Sequence, residues 1–180
     1  MKHARLALTA LLLLVAALFI ATCKGEEEEY AEPEAFSFVI YPGSRYLGQL
    51  TEKTKLAHKI TDPGSEPPPT AIYDTEATVE QVADYYAKQY GYAEVAAAPA
   101  TGATQPRAYY RTGDLAADNQ ALAPLLPQLQ LQTDLSKAVG SYRGAYISAR
   151  PNRPQVTIQR PYFDVTTSKV VDRTLILMSR

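Results

Sequence analysis

The chain has 180 residues, 18 of them Lys or Arg and 19 Asp or Glu, for a formal net charge of −1; this suggests one domain with extras, and no nucleic-acid partner is expected. One cysteine and two histidines exclude an internal disulfide and leave a His/Cys metal site without enough ligands. No phosphate-cradling glycine-rich loop or dinucleotide fingerprint occurs, so P-loop and Rossmann chemistry are removed and no cofactor is expected.

Lys2, His3 and Arg5 make a short basic head, and residues 6–22 then carry no charge. This is a signal-peptide layout. Kept as a helix, the run would span roughly 26 Å at ~1.5 Å per residue, short of the ~30 Å hydrocarbon core. Cys23 ends it. A lone thiol in an oxidising compartment is a liability that acylation would remove. Ile20-Ala21-Thr22-Cys23 resembles the lipobox of bacterial lipoproteins, with Thr22 where Gly, Ala or Ser is usual.

That resemblance covers about the first 25 residues. It implies removal of residues 1–22, a diacylglycerol on the Cys23 thiol and usually a further acyl chain on the new amino terminus. A single chain anchors only marginally, at ~0.8 kcal/mol per buried CH₂, so several are needed. The implied location is the cell envelope, membrane-anchored and exported. Lys24 stands where family members held at the inner membrane often have Asp, which favours the outer membrane facing the periplasm in an organism that has both. An ordinary signal peptide or an uncut anchor stays open as an alternative.

Residues 23–35 follow as an acidic tether containing Glu26, Glu27, Glu28, Glu29, Glu32 and Glu34, whose mutual repulsion favours an extended, solvated spacer. Residues 36–180 are expected to form one domain. Cleavage before Cys23 would leave 158 residues with a formal net charge of −3, since only Lys2 and Arg5 are lost. Such a chain buries roughly 70% of its unfolded surface without metal or disulfide staples. Residues 23–100 hold 6 basic and 14 acidic side chains and residues 101–180 hold 10 and 5; the default reading is that the halves attract each other in the fold, and an anionic partner for the basic half is the alternative.

Within the domain, residues 36–41 (Phe-Ser-Phe-Val-Ile-Tyr) read as a strand and Pro42-Gly43 as a turn. A second strand is expected near 45–50, a solvated basic stretch at 53–59, a proline-rich loop at 62–69 and a short strand at 70–74. Thr78-Val-Glu-Gln81 is a capping-box pattern that opens a helix over 79–90. Val79, Val82, Ala83, Tyr86 and Tyr90 share one face of it, and Gly91 is placed to end it. A low-complexity link at 96–106 precedes a strand at 107–112. Residues 114–138, broken by Pro124 and Pro127, suggest two short helices. Strands at 142–150 and 155–160 flank a turn-rich loop. The continuous apolar run at 174–178 predicts a central strand with Leu175, Ile176 and Leu177 all buried. The expected class is α+β: a mostly antiparallel sheet with one main helix and short helices packed on one face.

Catalytic signals are sparse. A Ser-His-Asp triad would have to use His58. Asp74, Asp84, Asp164 and Asp172 could pair as acid and base, but any chain of this size offers such candidates. Tyrosine is abundant, at 13 residues, and offers a flat apolar face with a polar tip for contacts. The loop after Arg160 sets Tyr162 and Phe163 beside Arg160, Lys169 and Arg173, which makes it a candidate partner contact. The alternative is that the two rings fold back over the sheet end. The leading expectation is a non-catalytic binding or interaction module, held to the membrane through Cys23, with an envelope protein or glycan as partner. A carboxylate hydrolase and a carrier for an apolar ligand are the alternatives.

Overall fold

Phe36 and Val39 sit three residues apart, and both are buried. That spacing fits a 3-10 helix of three residues per turn, and Glu34–Val39 forms one where a strand was expected. The computed structural model describes residues 30–99 and 105–180. The lipobox, Cys23 and most of the acidic tether therefore lie outside the described residues. Ala31–Arg180 make up one compact unit.

Arg45–Tyr46 (β1) is a two-residue strand. The chain then enters helix Gly48–Thr61 (α1), where a longer strand and a solvated stretch were expected. Its first turn is fastened to the sheet. Leu47 N–H donates to the Ile72 carbonyl at 2.8 Å, and Ile72 N–H donates to Thr51 Oγ1 at 3.0 Å. Ile72 belongs to strand Thr70–Thr75 (β2).

Helix Val79–Gln89 (α2) matches its sequence signals closely. Gln81 N–H donates to Thr78 Oγ1 at 3.2 Å and Thr78 N–H donates back to Gln81 Oε1 at 2.9 Å. Gly91 follows at φ +69°, the left-handed conformation that glycine adopts without a Cβ penalty.

The remaining elements are Ala108–Asp114 (β3), Leu115–Gln120 (α3), a 3-10 turn at Leu135–Lys137, Ser141–Ile147 (β4), Gln155–Arg160 (β5), Tyr162–Asp164 (β6), Lys169–Val171 (β7) and Thr174–Ser179 (β8). Six strands form one antiparallel sheet in the order β1-β2-β8-β5-β4-β3. β6 and β7 pair separately as a hairpin. The class is α+β.

Strand periodicity divides the sheet into two faces. On one, Tyr73, Ile158, Ile176 and Met178 pack against Val82 and Tyr86 of α2 and against Phe36 and Val39. Tyr86 helps hold the 3-10 segment in place, its hydroxyl accepting from Tyr41 N–H at 3.1 Å. The other face presents Ile72, Leu175 and Leu177 toward α1. A smaller cluster of Leu115, Tyr142, Phe163 and Val165 adjoins it, with Leu50 of α1 packed on. Helical segments thus lie on both sides of the sheet.

This explains one departure in β8. The strand is central, between β2 and β5, but its burial alternates: Ile176 and Met178 are buried, whereas Leu175 and Leu177 are only half-buried. The second face is less tightly covered than the first.

Candidate functional site

The loosely covered face holds a half-open cavity of about 300 Å³. Ile72, Leu175 and Leu177 form its floor, while Leu50 and Ala57 of α1 form one wall. Leu122, Leu126, Leu129 and Leu131 come from the segment after α3. Pro124 and Pro127 prevent that segment from forming a long helix, and it closes as successive turns. Leu125 N–H donates to Leu122 O at 2.9 Å, Leu129 N–H to Leu125 O at 2.9 Å and Leu131 N–H to Leu126 O at 3.0 Å. The turns thereby present leucines inward without a continuous helical ladder.

The lining is mainly apolar, with Lys53, Thr54, Asp118, Asn119, Gln159 and Tyr162 as its polar members. Lys53 of α1 reaches across and donates from Nζ to the Leu129 carbonyl at 2.8 Å. Asp118 also lines the cavity, and its Oδ2 accepts from the Tyr142 hydroxyl at 2.5 Å. The Arg111 guanidinium lies 5.3 Å from the Tyr142 ring centre. Burial, then the hydrogen bond to Asp118, pushes the Tyr142 hydroxyl up to about 12. A Cβ at Gly113 would overlap the Tyr142 ring, so the missing side chain makes room for it.

Asp74 lies nearby on β2 and is 0% exposed. Arg45 donates to it twice, from Nε at 3.1 Å and Nη2 at 2.7 Å, and the Tyr162 hydroxyl donates at 3.0 Å. Arg173 Nε comes within 3.0 Å of Asp74 Oδ2. Its N–H is not aligned on an acceptor among the described residues, so this contact is coulombic and not a hydrogen bond. Arg173 also pairs with Glu76. Burial, followed by the Asp74 charge, raises the Tyr162 hydroxyl well above the ordinary phenol range. These donors occupy both Asp74 oxygens and tie the carboxylate into the end of the sheet.

The other carboxylates are engaged locally. Asp164 accepts from Thr166 N–H, Thr166 Oγ1 and Thr167 Oγ1 at 2.9, 2.7 and 2.9 Å. Exposed Asp172 pairs with Arg160 at 2.8 Å, and that guanidinium holds its carboxyl below the usual range. Asp84 is exposed on α2. His58 Nε2 lies 3.0 Å from Ser65 Oγ, which donates to Asp62 Oδ2 at 2.7 Å. The order is wrong for a triad: the carboxylate takes the serine proton, so the serine can only accept from the imidazole. Among the described residues, no three His, Cys, Asp or Glu side chains converge as metal ligands.

The residues singled out after Arg160 occupy different settings. Tyr162 and Phe163 are 3% and 6% exposed, and both line the cavity. Arg160 donates to Asp172 and to the Glu76 carbonyl, while Arg173 belongs to the Asp74 network. Lys169 is exposed on β7. Lys53 and the leucine wall were missed by sequence reasoning. Leu50, Thr54 and Ala57 at helical spacing, together with the leucines at 122, 126 and 129, were the available signal. No protein-family model, curated protein or solved structure matches this chain.

Proposed function

We propose that this is a lipid-anchored cell-envelope protein whose domain is a non-catalytic binding module for a small apolar ligand. The supporting observation is the cavity of about 300 Å³ between the sheet, α1 and the leucine turns. An apolar cavity of roughly 150 Å³ already admits benzene, so about twice that volume suits a short chain or a pair of rings. The engaged state of Asp74, Asp164 and Asp172 argues against carboxylate catalysis. In this reading Tyr162 and Phe163 serve as cavity wall.

The anchor rests on the lipobox resemblance at Cys23. Intact mass of the native protein should show loss of residues 1–22 and a diacylglyceryl group. An unmodified Cys23 would refute the anchor and leave the cavity reading standing.

For the cavity, the neutral fluorescent dye N-phenylnaphthylamine should brighten on binding the full chain. Leu177→Trp should fill the floor and abolish the signal while leaving the melting temperature within a few degrees, because the indole enters existing space. Dye binding that survives this substitution unchanged, or no binding to the wild type, would overturn the reading.

A further inference from the structure

We infer that the cavity takes a single-chain amphiphile with a carboxylate head, its chain among the leucines and its head at Lys53. This rests on the apolar-ligand reading above and adds a head-group chemistry to it. Two charged side chains line the space, Lys53 and Asp118.

Their circumstances are unequal. Asp118 accepts a short hydrogen bond from Tyr142, whose ring lies near the Arg111 guanidinium. Lys53 is half-buried, and its partner among the described residues is a backbone carbonyl, that of Leu129. A carbonyl takes one N–H and does not neutralise the charge. An ammonium carries three donors, so two remain for a ligand without breaking the tie between α1 and the leucine turns. A half-buried cation with no carboxylate partner among the described residues, facing a mainly apolar space, complements an anion that brings its own hydrocarbon.

A planar carboxylate can accept both remaining donors at charge-assisted strength. The half-open cavity of about 300 Å³ accommodates a tail of about ten carbons, taking benzene in roughly 150 Å³ as the yardstick. Lys53 is therefore assigned as the residue that selects the head group, and the leucines as the surface that selects the tail.

The test uses the full chain and a decanol carrying a photoreactive diazirine at its tail, with crosslinked peptides mapped by mass spectrometry. Unlabelled decanoate, decanol and decylamine then compete. Labelling is expected on peptides carrying Leu126 or Leu177, with decanoate competing at about ten-fold lower concentration than decanol. Lys53→Met should weaken decanoate about ten-fold or more and leave decanol unchanged; continued labelling by the probe shows that the cavity survives the substitution. Lys53→Arg should restore the preference. Asp118→Asn should leave decanoate as tight or tighter, because it removes a like charge. Equal competition by decanoate and decanol, or stronger competition by decylamine, overturns the head-group assignment and leaves an apolar site. Absence of labelling on these peptides overturns the cavity reading itself.

Discussion

Asp74 shows how a single buried charge can organise an end of the sheet. It lies on β2 at 0% exposure, yet it collects Arg45, Arg173 and the Tyr162 hydroxyl from three separate parts of the chain. Burying a carboxylate is costly unless such donors surround it. Asp74→Asn keeps the shape but points an amide N–H₂ toward donors and leaves two guanidinium groups without their anion. The expected loss is about 3 kcal/mol. Arg45→Ala should cost only about 1 kcal/mol, because that side chain is 64% exposed and water replaces much of what is lost. Urea denaturation of both variants would measure the difference. Equal costs would mean that Asp74 is not the centre of the network. None of this geometry was legible in the sequence, where Asp74 is one aspartate among several. Its partners lie 29 to 99 positions away, and only the antiparallel pairing of β2 with β1 and β8 brings most of them near.

The elements differ in how openly their residues announce them. α2 was legible because three independent signals agree: a reciprocal cap at Thr78 and Gln81, apolar spacing through Val82 and Tyr86, and Gly91 at the end. Thr78→Ala should destabilise the domain by about 1 kcal/mol, since it leaves the Gln81 amide without its acceptor. Thermal melting against Thr78→Ser, which keeps the hydroxyl, would isolate the cap; matching losses in the two variants would show that it contributes nothing. α1 offered helical spacing at Leu50, Thr54 and Ala57 but no cap to support it. Leu47 at its start makes no side-chain cap, and only Gly48 and Thr51 of the helix are fully buried. Its anchor is a contact with β2, through Thr51 Oγ1 and Ile72 N–H, which no local pattern encodes. At 36–41, aromatic and β-branched composition suggested a strand, but the spacing of Phe36 and Val39 matched the 3-10 helix Glu34–Val39 that packs them. Tertiary burial overrode local preference there.

At the scale of the whole molecule, the two faces of one sheet serve different ends. The α2 face is closed by tightly packed tyrosine, valine and isoleucine, and the α1 face is left with room for a guest. The run at 174–178 could not disclose this, because an uninterrupted apolar strand reads the same whether its second face meets a core or a cavity. Alanine substitutions in β8 separate the two. Ile176 is 0% exposed within the closed face, so Ile176→Ala must leave a new void and should cost about 3–4 kcal/mol. Leu177 already borders empty space and is half-buried. Its truncation loses some transfer energy but enlarges an existing cavity, for an expected cost of about 1 kcal/mol. Both values come from denaturant midpoints, with unchanged slopes confirming that only stability moved. A Leu177→Ala cost as large as that of Ile176→Ala would show that the α1 face is packed as densely as the α2 face. The cavity would then lose its standing as a site. The predicted asymmetry would instead place binding capacity on the face where the protein gains least by being full.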